Sequence, residues 1–349
     1  MSNKSVAIYY AGFSRFGGVN SHLRAMERAL LRSDWDVVVI TLDSLPFLLR
    51  YLPHIVEKLI NLINRPLGFY YKGVFTKILY RLLFDYKTDI RIFEDIYLSW
   101  NSEIPTVAVL HAVWSDNLQA YTLEVDQVNK LKEKEISLIG KIHHPIITVS
   151  YPYRDYLVRS HFGRNISKKI DVVVLGVDQS QIKIDCAQNR KSIVYTGVLE
   201  ARKNVFFLLK VYERLFGIDP SYRLTLIGDG PDKASLIGYA ESHGLSVAFL
   251  GRLKHAEVLT ELSKHGIYLH TSTKESFSYS LLEAKLAGLM TCAYEMLQVP
   301  PEFIDVGVSS FDIEEWCTAI LSIDWKPMPF DANMYTVERM ASSTLDAAL

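Results

Sequence analysis

Short apolar runs alternating with amphipathic stretches set the rhythm of this chain. Residues 5–10 (SVAIYY) and 36–42 (DVVVITL) are short, continuous and rich in β-branched residues. Such runs predict strands buried on both faces of a parallel sheet. Between them, residues 19–31 place Leu23, Met26, Ala29 and Leu30 at near-helical spacing, and Gly17 and Gly18 stand just before. Strand, glycine turn, helix, strand is a Rossmann-type opening, in which glycine lets the backbone approach a ligand closely. Runs at 88–93, 106–110 and 145–150 predict further strands, and 118–138 and 154–162 predict helices. The polar stretch 179–191 predicts a linker, after which the pattern restarts. Strands are expected at 192–196, 223–227, 247–250 and 266–271, with 290–293 as the last. Helices are expected at 204–216, 256–264, after residue 278, and over 334–349. The expectation is an α/β protein of two Rossmann-like domains, 1–182 and 183–330, followed by a terminal helix in 331–349.

One segment breaks the rhythm. Residues 45–84 carry Arg50, Lys58, Arg65, Lys72, Lys77 and Arg81 against a single acid, Glu57, among Leu, Ile, Phe and Tyr. This predicts two or three amphipathic helices with basic and aromatic edges. They are either a helical insertion packed on the sheet or a surface for anionic lipid. The segment is too apolar for a nucleic-acid surface.

Composition narrows the class. At 349 residues with 49% hydrophobic and 22% charged residues, the chain is long and apolar enough for two globular domains. A net charge of −1 excludes a globally basic nucleic-acid binder. Cys186, Cys292 and Cys317 are far apart and lack metal-ligand spacing, so neither a disulfide framework nor a zinc site is expected. The cysteines, the absence of a signal peptide and of an apolar run of about 20 residues point to the cytoplasm.

The stretch with most chemistry is KESFSYSLLEAKLAG, residues 274–288. Glu275 falls in the loop before the predicted helix, and Glu283 eight residues on, inside it. A helix start offers unpaired N–H groups and a positive dipole end, which suit a diphosphate. Flanking carboxylates suit sugar hydroxyls. Spacing alone leaves the bland alternatives open: a dipole-capping Glu and a solvated one. Arg202 and Lys203, before the helix at 204, suit a diphosphate too, or form a solvated basic pair. His111 ends a strand, where it is either structural or at a ligand edge.

These segments together resemble the retaining nucleotide-sugar glycosyltransferases of family 4, which have the GT-B architecture. Glu275, Ser276, Phe277 and Ser278 through Glu283 and Ala284 resemble their Glu-x7-Glu signature, with Ser278 where Gly is common. GVLEARKN (197–204) resembles the phosphate-binding segment, with Lys203 at its lysine and Val198 where an arginine is common. GDGP (228–231) and FLGR (249–252) resemble the turns bordering the nucleotide, and VAVLHAVW (107–114) the segment whose His lies by the donor sugar. At 300–302, Pro300, Pro301 and Glu302 follow no Gly-Gly pair.

The resemblance implies two domains facing across a cleft, with the C-terminal helix crossing back to the first. It implies transfer of a hexose from a UDP- or GDP-sugar with retention and without a metal or other cofactor. The acceptor would be a glycan or a lipid-linked acceptor, as in bacterial surface-polysaccharide or O-antigen synthesis at the inner membrane face. Catalytic roles fall on Glu275, Lys203, Arg202 and His111. Donor contacts fall on Gly17, Gly18, Gly228, Gly251, Arg252, Ser276, Phe277, Ser278 and Glu283. Two other classes are a catalytically silent family member acting as a partner or membrane-bound binding subunit, for which Val198 speaks, and a nicotinamide-dependent dehydrogenase. The dehydrogenase lacks its G-x-G-x-x-G and distal acid in both halves.

Overall fold

A computed structural model describes residues 4–14, 18–117, 125–163, 166, 169–182, 184 and 189–349. Gly17 and Cys186 lie outside the described residues. The chain divides into two compact units, Met1–Val177 with Asn333–Leu349, and Asp178–Ala332.

The first unit runs β1 Ser5–Tyr9, α1 Gly18–Arg32, β2 Asp36–Ile40, α2 Leu52–Asn61, α3 Arg65–Leu83, β3 Ile90–Phe93, β4 Thr106–Leu110, α4 Trp114–Asn117, α5 Val125–Lys141, β5 Ile146–Thr148, α6 Tyr151–Tyr156 and β6 Ile170–Val172. The second runs β7 Asn189–Thr196, α7 Val205–Ile218, β8 Arg223–Ile227, α8 Lys233–Ser242, β9 Val247–Gly251, α9 His255–Leu262, β10 His265–His270, α10 Tyr279–Leu286, β11 Met290–Tyr294, β12 Val306–Val308 and α11 Ile313–Leu321. The final helix, α12 Val337–Ala348, packs on α1, β3 and β4 of the first unit.

All pairings within the two sheets are parallel. The first sheet has the order β2-β1-β3-β4-β5-β6 and the second β12-β11-β10-β7-β8-β9. Two of the apolar runs become inner strands, and Val6 to Tyr9 and Ile193 to Tyr195 have no exposed surface. The run at 36–42 instead becomes the edge strand β2, where Val38 is 42% exposed and not buried on both faces. Helix starts follow local chemistry. Ser150 accepts a hydrogen bond from the Tyr153 N–H, Asp312 from Glu315, and Thr336 from Arg339. Pro53 and Pro66 each sit in a first turn, which splits the basic segment into two helices.

Three further expectations need correction. Residues 290–293 do not form the last strand, because β12 adds a three-residue edge beside β11. The helix expected at 154–162 starts at Tyr151 and ends in a π turn, Leu157–His161. The helix expected over 118–138 is described from Val125 and reaches Lys141. Among the described residues no helix is long and apolar enough to cross a membrane.

The C-terminal segment is tied to the first unit by backbone. The Val177 N–H donates to Tyr335 O at 3.0 Å. A Cβ on Gly176 would meet Thr336 O at 2.1 Å, so only glycine permits this approach.

Behind the first sheet lies a closed polar network. Tyr97 OH and Ser115 Oγ both donate to Glu135, and His161 Nε2 lies 2.7 Å from Ser115 Oγ. Burial pushes the Glu135 carboxyl up to about 7, and burial also raises nearby Asp95 to about 7. A carboxyl with a raised folded-state pKa stabilises the fold below its unfolded pKa of about 4 and loses that contribution as pH rises through about 7. For Glu135 the loss between pH 5.5 and 7.5 is about 2 kcal/mol. Glu135→Gln, which keeps the shape of the neutral acid, should remove that part of the pH dependence. Urea midpoints of both proteins at the two pH values test this; parallel pH profiles would refute it.

Candidate functional site

Strand order locates the site in the second unit. The sheet reverses direction of growth between β7 and β10, and open α/β sheets bind ligands outside the strand ends at such a switch point. The segment after β7 carries Arg202 and Lys203. The segment after β10 carries Glu275 to Ser278. Thr271 joins them, its Oγ1 lying 3.1 Å from both Lys203 O and Asn204 O.

Lys203 Nζ donates to Glu275 Oε1 at 2.5 Å, and His270 Nε2 lies 3.3 Å from the same oxygen. The Lys203 and Glu275 side chains are 16% and 11% exposed. Burial works to raise the Glu275 carboxyl, but Lys203 and His270 outweigh it and hold the group well below the usual carboxylate range. His270 is pushed down by burial against the pull of Glu275. The result is a fixed carboxylate and a fixed ammonium side by side. Arg202 pairs with Glu200 at 3.0 Å, and its charge helps depress His270.

The backbone here is unusual. Asn204 and Ser278, the caps of α7 and α10, have φ of 53° and 68°. Left-handed non-glycine residues are uncommon and concentrate at functional sites. The Ser278 hydroxyl accepts the Leu281 N–H. Phe277 is buried, packing edge-on to Phe303 at 5.3 Å, so its side chain anchors the loop. Ser276 is half-buried beside it.

Glycines border the neighbouring strand ends. A Cβ on Gly228 (φ 143°) would meet Gly197 O at 1.8 Å. The Gly228 N–H in turn donates to Gly251 O at 2.8 Å. The loops after β7 and β8 and the end of β9 therefore touch backbone to backbone, and exposed Arg252 follows. Val198 is 44% exposed.

Glu283 lies in α10, nearly buried, with Oε1 2.7 Å from His255 Nε2 at the start of α9. Two residues on, Lys285 forms a buried ion pair with Asp305. Neither His255 nor Asp305 has a sequence signal, because both pairings are distant in sequence.

In the first unit, His111 follows β4. Its Nε2 lies 2.7 Å from Glu94 Oε2, and His22 Nε2 lies 3.2 Å from Glu94 Oε1. The three ligand atoms lie within 4.8 Å of one another. Gly18 begins α1, the helix that carries His22.

Residues 178–316 match the family model described as "Glycosyl transferases group 1", and residues 16–181 match "Glycosyltransferase Family 4". The chain is 32% identical over 111 residues to the phosphatidylinositol N-acetylglucosaminyltransferase gpi3 subunit of Schizosaccharomyces pombe, which is 31% of this chain and 24% of that protein. It thus spans about a quarter of that relative. Sucrose-phosphate synthase from Thermosynechococcus elongatus has a similar structure, with a TM-score of 0.69 at 15% identity, covering 99% of this chain and 94% of that one. Anabaena HepE, in complex with UDP and glucose, has a TM-score of 0.62 at 15% identity, covering 99% and 95%. These likenesses show the GT-B fold.

Proposed function

This chain belongs to the group 1 and family 4 glycosyltransferases, and from that premise we propose that it moves a hexose from a UDP- or GDP-sugar, with retention, to a lipid-linked glycan. The observation that carries the reading is the Lys203–Glu275 pair at the switch point of the second sheet. A donor diphosphate takes Lys203, and the hexose hydroxyls donate to Glu275. Glu283, braced by His255, receives the ribose hydroxyls. Gly228 and Gly251 border the base, and Arg252 lies beside them. As the C1–O bond to the diphosphate breaks, charge grows on the leaving phosphate. Lys203, Arg202 and the N–H groups at Phe277 and Ser278 oppose that charge. The acceptor oxygen bonds to C1 on the same face, and its proton passes to the leaving phosphate oxygen. Every one of these groups belongs to the chain, and the proposed step uses no metal.

The lipid-linked acceptor, and a setting at the inner membrane face in surface-polysaccharide synthesis, draw support from α2. Its outward side carries Ile55 and Leu59, with Tyr51 and Leu62 at its two caps, all at least 42% exposed, and Phe47 and Leu48 are exposed just before it. Lys58 and Arg65 are exposed nearby. An apolar helix face flanked by cations fits an anionic bilayer. Sedimentation with vesicles containing anionic lipid should be lost in Ile55→Ser/Leu59→Ser/Leu62→Ser and be weak with neutral vesicles. Equal sedimentation with both vesicle types would remove the charge argument.

The transfer itself is tested by incubating the protein with UDP- and GDP-hexoses and a lipid-linked glycan, and reading the anomeric proton of the product by NMR. The expected product keeps the donor's anomeric configuration. Inversion would refute retention, and no product from any donor would favour a catalytically silent partner protein.

A further inference from the structure

The first unit has a switch point of its own, between β1 and β3. Three side chains converge there from separate elements: His22 from α1, which follows β1, Glu94 directly after β3, and His111 directly after β4. Side-chain exposure is 1% for His22, none for Glu94 and 15% for His111. Only His111 reaches solvent, so it is the member able to meet another molecule.

A wholly buried carboxylate must be satisfied by donors. Here two imidazoles provide them, His111 Nε2 at 2.7 Å and His22 Nε2 at 3.2 Å. A carboxylate only accepts, so each ring must carry its proton on Nε2 to bond it. The rings also meet edge to face, with centroids 4.8 Å apart, which limits rotation of His111. Burial works to raise Glu94, but its two histidine partners outweigh that and pull it down to about 2, so it stays an anion. Burial is also the main effect that lowers His111.

We propose that Glu94 and His22 are positioning residues that lock His111 in one orientation and one tautomer, with the proton on Nε2 and the acceptor lone pair on Nδ1. The inference rests on the glycosyltransfer reading only for its kinetic consequence. In that reaction an oriented His111 offers an acceptor for a hydroxyl at a fixed place. The same three groups have the two-histidine, one-carboxylate donor set that zinc uses. Hydrogen-bond distances already link the carboxylate to both rings, and two of the three groups are closed to solvent, which favours positioning over metal binding.

The test is NMR of the full chain with 15N-labelled histidine. In the wild type both rings should carry a proton on Nε2, with His111 the neutral Nε2–H tautomer. Glu94→Gln offers one acceptor and one donor where the carboxylate offered two acceptors, so one ring should change tautomer or become a mixture. If that variant fails to fold, His22→Asn removes the edge-to-face ring. His111 should then keep its Nε2–H tautomer on Glu94 but lose its single orientation, read as broadened or doubled ring signals; unchanged signals would count against the positioning. With whichever donor is active, Glu94→Gln should lower kcat about 10²-fold, the scale of a small misplacement of a reacting group, with KM within about threefold. An Nδ1–H tautomer at His111 in the wild type, or unchanged tautomers in Glu94→Gln, would overturn the proposal. So would stoichiometric Zn2+ binding that shifts both rings and is lost in Glu94→Gln, which would make the trio a metal site. Wild-type inactivity with every donor would instead remove the glycosyltransfer reading and leave the NMR result to decide the positioning.

Discussion

Glu275→Gln is expected to reduce kcat by about 10²- to 10³-fold, the range measured when one pre-set electrostatic group is removed from an active site. In the proposed reaction the carboxylate has two tasks at once. It would receive sugar hydroxyls, and it fixes Lys203 Nζ at 2.5 Å. Gln keeps the size and one acceptor but removes the charge, so the ammonium loses the partner that holds it in place. Lys203 and Glu275 keep some solvent exposure, so the effect on stability should be well below that on rate. Initial rates with the active donor, beside far-UV circular dichroism to confirm folding, check this. A change in kcat of less than about threefold would mean that Glu275 is not part of the reacting site.

Lys285→Met is expected to destabilise the protein by about 3–5 kcal/mol, because breaking a buried pair strands the other charge. The Lys285 and Asp305 side chains are 3% and 0% exposed. Asp305 also accepts the Thr291 N–H at 3.0 Å, the Thr291 hydroxyl at 2.9 Å and the Met328 N–H at 2.6 Å. Those donors soften the penalty and place the effect toward the lower end. The pair holds α10, and with it Glu283, against the chain leading into β12. Adding Asp305→Asn to Lys285→Met removes the stranded charge and should recover part of the loss. Urea denaturation of the single and double variants measures both; equal stability of Lys285→Met and wild type would refute the account.

The fold was legible where burial imposes continuous apolar runs. The inner strands of both sheets have such runs because helices cover both faces. The edge strands β2 and β9 keep such runs although they are only partly buried, whereas β12 and α8 lack them. β12 is only Val306–Val308 with Gly307 at its centre, and α8 buries just Leu236 and Ala240, too few to make a stripe. In α2 the periodicity shows that the helix has an apolar side but not that this side faces outward. That depends on which surface α3 covers.

The candidate site was legible as a list of groups and not as a set of pairings. Glu275 and Glu283 stand out by local spacing. The partner of each comes from elsewhere in the chain, Lys203 at 72 residues' separation and His255 at 28. No local pattern encodes a contact that exists only after the parallel sheet forms. Lys203 and Glu275 were each assigned a ligand on their own, whereas in the folded unit they also hold each other. His270 and Thr271 end an apolar strand, so they read as strand residues until β10 is set beside β7. Glu94 is similar: it directly follows the apolar run of β3, and only the adjacent ends of β4 and α1 turn it into the centre of a cluster.

The most direct test of the central claim, that the switch point of the second unit binds the donor, is titration calorimetry of UDP and GDP against wild type and Lys203→Met. The account predicts that one nucleotide binds the wild type with one-to-one stoichiometry, and that Lys203→Met weakens it at least about tenfold, the loss of a charge-assisted contact. Failure of both nucleotides to bind, or equal affinity in the variant, would contradict it.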